Sequence, residues 1–332
     1  MICELEDKIF DVQQSGFERV ALEVFAFQSR ENIVYRSFIN ALKVDPHSVT
    51  SLASIPFLPV SFFKNHDIVS GTFTPEIVFE SSGTTATGNS RHLVNAIDIY
   101  RKSFIDAFEM FYGNIDEWCI IGLLPAYLER KSSSLVMMVN DLIELSENVN
   151  SGFYLYDHAK LAQVITENEA VAQKTLLIGV TFALLDFAET FRTPLKHTVV
   201  METGGMKGRR KEITRLEVHD VLCAAWQLDA IHSEYGMTEL LSQAYSAGKG
   251  LFRCPPWMKV ILRDEDDPLT IKTVSGEKAE NGLINVIDLA NIYSCSFIAT
   301  DDIGKLYADG SFEVIGRMDT SDVRGCSLMY NM

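Results

Sequence analysis

Residues 81–92 read Ser81-Ser82-Gly83-Thr84-Thr85-Ala86-Thr87-Gly88-Asn89-Ser90-Arg91-His92, a loop of hydroxyls and glycines with a cation near its far end. That composition suits a phosphate. Gly83 and Gly88 allow tight turns that aim backbone N–H groups inward, while Ser81, Ser82, Thr84, Thr85 and Arg91 add donors toward negative oxygens. The same residues would also make an ordinary polar turn, so the loop alone leaves both readings open. Other chemistries find less support. No Gly-x-Ser-x-Gly elbow occurs, which removes one serine-hydrolase signature. His92, His197 and His232 lack the spacing of metal ligands and read as structural or substrate-lining. The six cysteines, Cys3, Cys119, Cys223, Cys254, Cys295 and Cys326, are scattered without a Cys-x-x-Cys pair. That argues against a zinc ribbon or disulfide framework and makes packing their default role.

The elements that must position the loop are legible as periodicity. Residues 76–80 read as a strand leading directly into it. Ile97, Tyr100, Phe104, Phe108 and Phe111 then share one helical face, with Arg101, Lys102, Asp106 and Glu109 on the others. Residues 1–75 are aromatic-rich and helical in pattern, with Phe17, Val20, Ala21, Val24 and Phe27 at near-helical spacing until Pro56 and Pro59 break it. They are expected to flank the main domain. Apolar runs at 117–124, 175–179 and 197–201 predict buried strands, and 132–145 and 209–226 predict helices, an alternation that implies an α/β core over 76–254. From Pro255 the texture becomes β-rich, with strand patterns at 282–289, 294–299 and 311–315 and turns such as Ala308-Asp309-Gly310. A small β subdomain is expected over 255–316 and a short tail over 317–332. The acidic run 263–268 reads as an exposed loop. The fold class is therefore α/β, in layered subdomains with a small β subdomain.

Composition narrows the partners. With 332 residues, 47% hydrophobic and 22% charged, the chain can bury a large core. Its 29 basic against 45 acidic residues leave a net charge of -16, which disfavours nucleic acid and anionic lipid and favours a small molecule or a soluble protein. The most apolar runs, 119–128 and 176–185, fall short of the roughly 18 to 20 residues of a membrane span. The acidic start Met1-Ile2-Cys3-Glu4-Leu5-Glu6-Asp7 lacks the basic head of a secretory signal, so the expected location is the cytoplasm.

Further motifs follow the loop in order: Met201-Glu202-Thr203-Gly204-Gly205-Met206-Lys207-Gly208, Ser233-Glu234-Tyr235-Gly236-Met237-Thr238-Glu239, Ala299-Thr300-Asp301-Asp302-Ile303-Gly304 and Gly316-Arg317-Met318-Asp319. The series resembles the adenylate-forming superfamily of acyl-CoA ligases, luciferases and peptide-synthetase adenylation domains. Within it the chain is most similar to the acyl-protein synthetases of bacterial luminescence operons. The resemblance implies the N-terminal domain of an adenylate-forming enzyme, with ATP and Mg²⁺ activating a carboxylic acid, fatty in this family, as acyl-AMP with release of pyrophosphate. It assigns the loop from Ser81 to Gly88, with Arg91 where many relatives carry Lys, to the pyrophosphate. Gly204 and Gly205 are assigned to the adenine edge, Tyr235 with Gly236 to the adenine face, Thr238 to the α-phosphate and Glu239 to Mg²⁺. A carboxylate and an aromatic ring suit those last jobs chemically. Asp302 is assigned to the ribose hydroxyls, with Asp301 where relatives usually have Gly. Arg317 is assigned as a second ribose or phosphate contact, and Asp319 to the hinge of a C-terminal domain.

The sequence stops soon afterwards, so the expectation is that this second domain is largely absent. By resemblance the acyl acceptor is then Cys326, the cysteine of the tail, which would pass its thioester to a partner protein such as a reductase. The catalytic set is Cys326, Thr238 and Glu239. Two alternatives stay open: an AMP-forming ligase whose acceptor is CoA from solution, and a nucleotide-binding module without turnover.

Overall fold

The computed structural model describes residues 2–81, 88–125, 131–204, 213–274 and 278–318. Of the residues singled out above, Ser82, Gly83, Thr84, Thr85, Gly205, Asp319 and Cys326 lie outside these ranges.

Helices α1 (Ile2–Phe10), α2 (Phe17–Glu31) and α3 (Ile33–Ala41) open the chain, and α2 buries Phe17, Val20, Ala21, Val24 and Phe25 along one stripe. Asn32 caps α3 by accepting from the Tyr35 amide at 2.9 Å. Polar bonds fasten these helices to a distant turn. Buried Gln28 donates to the carbonyls of Asn291 and Ile292 at 2.9 and 3.0 Å and accepts from the Ser296 amide at 2.9 Å. After β1 (Leu58–Pro59) and α4 (Phe62–Asn65), β2 (Ile77–Glu80) and β3 (Arg91–Val94) form an antiparallel pair of their own, in which Glu80 faces Arg91. The loop sequence is what joins them.

The α/β half follows: α5 (Ile97–Tyr112), β4 (Cys119–Leu123), α6 (Ser134–Leu145), β5 (Gly152–Phe153), α7 (His158–Ala170), β6 (Thr175–Gly179), α8 (Thr181–Thr190), β7 (Thr198–Glu202), α9 (Arg215–Trp226) and β8 (His232–Tyr235). Its strands are parallel in the order β5-β4-β6-β7-β8. Side chains alternate as a pleat covered on both faces requires. Ile120, Leu176 and Ile178 pack with α5 and α6, whereas Cys119, Ile121, Leu123, Leu177 and Val200 pack with α7, α8 and α9.

Beyond β8 the sheet turns antiparallel through β9 (Ala244–Ser246), β10 (Phe252–Arg253), β11 (Met258–Arg263), β12 (Ile271–Lys272), β13 (Glu280–Asp288), β14 (Phe297–Leu306) and β15 (Phe312–Arg317). The order is β8-β9-β10-β15-β14-β13-β11-β12, so strands from 255–317 are hydrogen-bonded edge to edge with the α/β half. Two details differ from the sequence pattern. Arg263, read with the acidic run, closes β11 and is 7% exposed; the exposed turn begins only at Asp264. Strand β14 continues past 299 to Leu306 because Thr300-Asp301-Asp302 is a bulge, not an end: Leu283 faces Ile303 and Asn285 faces Ala299, leaving Ile284 alone opposite those three residues. Gly304 lets the strands close again, since a Cβ there would come within 2.6 Å of Ile284 Cδ1 and 2.8 Å of the Glu313 carbonyl. Among the described residues no helix is long and apolar enough to cross a membrane.

Candidate active site

The base of the hydroxyl loop is closed by its own serines. The Ser90 amide donates to Ser81 Oγ at 2.9 Å and the Ser81 amide to the Ser90 carbonyl at 3.1 Å. From this base the hairpin reaches the Thr238-Glu239 segment at two points. His92 Nδ1 bonds the Thr238 carbonyl at 2.9 Å, and the Ser90 hydroxyl lies against the Glu239 carboxylate, favouring its charged form. Donation to that carbonyl puts the proton on Nδ1 and leaves Nε2, buried without a partner, as an acceptor. Burial holds His92 neutral, pulling it down to about 4. On its other side the segment is held by Asn291 Nδ2, 2.8 Å from the Glu239 carbonyl, and by Asp288, which accepts from the amides of Leu241 and Ser242 at 2.8 and 2.9 Å.

Glu239 is 7% exposed, and burial raises its pKa against the opposing influences of Ser90, Arg317 and Lys64. A carboxylate short of compensation in this way gains from a divalent cation. Among the described residues no cluster of three or more His, Cys, Asp or Glu forms a metal cage.

Asp302 is the second centre. Its Oδ2 accepts from the Tyr235 hydroxyl at 2.8 Å and its Oδ1 lies 3.3 Å from Arg317 Nε, the residue paired with it across β14 and β15. Burial raises Asp302, while Arg317 and the Tyr235 hydroxyl oppose the rise. The Tyr235 ring packs edge-on to Phe312 and tilted on Phe252, at centroid distances of 5.6 and 5.9 Å. Arg317, about half exposed, opposes the burial-driven rise of Asp302.

A third group lies at the end of β7. Gly204, at φ +79°, donates its amide to Glu202 Oε1 at 2.7 Å, and among the described residues a Cβ there would meet nothing within 4 Å. The Thr181 hydroxyl bonds the same Glu202 oxygen, and Arg215 Nε stands 3.9 Å from Oε2. Arg91 is exposed and paired with Asp67 at 2.9 Å.

Glu234, unassigned on sequence grounds, stands opposite Tyr245 across β8 and β9, where burial first and Glu202 second push its carboxyl up to about 8. A side chain at Gly236 would come within 2.4 Å of Glu234 Oε1 and force that carboxyl to move. Glu234 keeps its proton where the unfolded chain, at the ordinary 4.5, has lost it. Folding takes up a proton between those values, so stability falls as pH rises through the window. Glu234→Gln removes this dependence. Its stability relative to the native protein is expected to grow by about 2 kcal/mol between roughly pH 6 and pH 8.5, read from urea unfolding; a difference that stays constant would contradict it.

On sequence grounds Ser90 has no assigned role and His92 reads as structural or substrate-lining; the structure has His92 buried against the Thr238 carbonyl. Their spacing carried no signal of contact with a segment some 150 residues on; the His92–Thr238 separation is 146.

The fold is mixed α/β, a large sheet whose parallel half is covered by helices on both faces. Solved structures similar to it include an o-succinylbenzoate coenzyme A synthetase from Bacillus subtilis in complex with ATP and magnesium ion (14% identity, TM-score 0.46, covering 72% of this chain and 49% of that one). A luciferase-like enzyme from Zophobas morio (16%, 0.49, 76% and 60%) and the amide bond synthetase McbA from Marinactinospora thermotolerans (16%, 0.49, 86% and 58%) are others. The chain thus spans between 49% and 60% of the length of these three. Comparison with curated proteins gives no match. The family model described as acyl-protein synthetase, LuxE, matches residues 7–332, and the chain belongs to that family.

Proposed function

We propose that the protein activates a carboxylic acid with ATP and passes the acyl group to a thiol. The carboxylate oxygen attacks the α-phosphorus and the bond to pyrophosphate breaks, giving acyl-AMP. A thiolate then attacks the acyl carbonyl and AMP leaves. The observation that carries this reading is that the one segment from Tyr235 to Glu239 meets Asp302 and Arg317 at its start and Ser90 and His92 of the loop hairpin at its end. In this reading Asp302 and Arg317 take the ribose, Gly204 and Tyr235 the base, Thr238 the α-phosphate, and the loop with Gly88 the pyrophosphate. Glu239 holds Mg²⁺, which supplies positive charge where it builds on the leaving phosphates. The loop residues Ser82, Gly83, Thr84 and Thr85, the adenine-side Gly205 and the acceptor Cys326 complete the proposal. The substrate is a fatty acid and the final acceptor a partner protein such as a reductase.

The test is exchange of labelled pyrophosphate into ATP. Exchange should require both a fatty acid and Mg²⁺, and incubation with acid and ATP should add the mass of the acid less one water to the protein. A folded protein that catalyses no exchange with any fatty or aromatic acid rejects the proposal.

A further inference from the structure

A buried guanidinium is costly to keep, because its charge and its N–H donors must be met inside the protein. Arg263, the last residue of β11, is such a group. Its hydrogen bonds go to uncharged oxygens on the two strands that form the bulge: Nη1 to the Ile284 carbonyl at 2.9 Å and to Asn285 Oδ1 at 2.7 Å, and Nη2 to the Thr300 carbonyl at 2.6 Å. Thr300 continues the chain of contacts. Its hydroxyl donates to the same Ile284 carbonyl at 2.9 Å and accepts from the Asp302 amide at 3.1 Å. The guanidinium thus spans from β11 across β13 to β14 and pins the first residue of the bulge, which in turn pins the third.

Bulges re-aim side chains, and this one ends on the carboxylate that faces Tyr235 and Arg317. An aliphatic residue opposite Leu283, which pairs with Arg263 across β11 and β13, would fill the same space without desolvating a charge, and such replacements of buried ions are often neutral or stabilising. A cation here is explained by geometry that apolar packing cannot impose. Burial disfavours its charge, and the carboxylates Asp301 and Asp302 favour it.

We propose that Arg263 is the positioning residue that sets Asp302, by way of Thr300, for the ribose hydroxyls of the nucleotide. The inference rests on the reading of Asp302 given above. Calorimetric titration with ATP and with 2′,3′-dideoxy-ATP tests it, because only the first offers ribose hydroxyls. Thr300→Val, which keeps shape but removes the acceptor for the Asp302 amide, and Arg263→Met are expected to weaken ATP about tenfold or more while moving the dideoxy nucleotide by less than about twofold. Thr300→Ser should restore native binding, and Arg263→Lys, which lacks the planar fork, should fall between. Equal weakening of both nucleotides, or unchanged ATP affinity in Thr300→Val, overturns the inference; if Arg263→Met fails to fold, the two Thr300 variants decide it alone. A native protein that does not distinguish the two nucleotides overturns the reading of Asp302 itself, which separates the two failures.

Discussion

Glu239→Gln is expected to lower acid-dependent pyrophosphate exchange on the order of 10³-fold at a fixed, subsaturating Mg²⁺ concentration, with partial recovery as Mg²⁺ is raised. The substitution keeps the volume of the side chain and the backbone bonds around it, since Asn291 holds the carbonyl of residue 239 and not its carboxylate. What it removes is the charge. Burial already raises the pKa of Glu239, so the folded protein gains nothing from ionising this group in the absence of a cation. Loss of the charge should therefore leave the urea midpoint unchanged or raise it, and a loss of exchange cannot be ascribed to unfolding. Glu239→Asp, which retains the charge but withdraws it by one methylene, should be intermediate. Exchange within about threefold of the native rate, with the same Mg²⁺ dependence, would remove Glu239 from the metal role.

The parts of this molecule that were legible in its sequence are those set by neighbours along the chain. The stripe from Ile97 to Phe111 and the strand at 175–179 follow from periodicity, because burial on one or both faces dictates which side chains are apolar. Chemistry that depends on partners far away was not legible. Tyr235 and Asp302, 67 residues apart, share a hydrogen bond that no spacing rule contains. Arg263 stands at the head of Asp264-Glu265-Asp266-Asp267 and looks like one more solvated charge; only the pairing of β11 with β13 buries it. The bulge at Thr300 breaks the apolar run of β14 and so reads as a strand end, although the pairing with β13 resumes at Ile303. Glu234 is ordinary as a letter and unusual as a group, because its proton is held by burial beside Glu202. Each of these is a product of tertiary desolvation, which composition and period do not encode.

Cys326→Ser is expected to abolish the acyl adduct while acid-dependent pyrophosphate exchange persists, because exchange needs only the first half-reaction and a serine hydroxyl is far less readily ionised than a thiol. Two structural arguments favour this cysteine. The first is elimination. A nucleophilic cysteine must be available as thiolate, yet burial pushes Cys254 and Cys295 up to about 12 and raises Cys119 and Cys223 as well. The second is tethering. The Met318 amide donates to the Asp301 carbonyl at 2.8 Å, one residue from the carboxylate that meets Arg317, so the chain leaves for its last residues from the edge of the candidate site. Cys326 stands eight residues beyond Met318, and eight extended residues span at most about 28 Å. Whatever path the backbone takes, the thiol stays within that radius of its anchor, an effective concentration in the millimolar range that a free thiol would have to match. Intact-mass measurement after incubation with ATP and a fatty acid, run in parallel on Cys326→Ser and Cys3→Ser, reads the outcome. An adduct lost only in the first assigns the acceptor. One that survives in the first and maps to Cys3, or acyl-CoA formed equally well by both variants with no adduct on either, would move the acceptor off the tail.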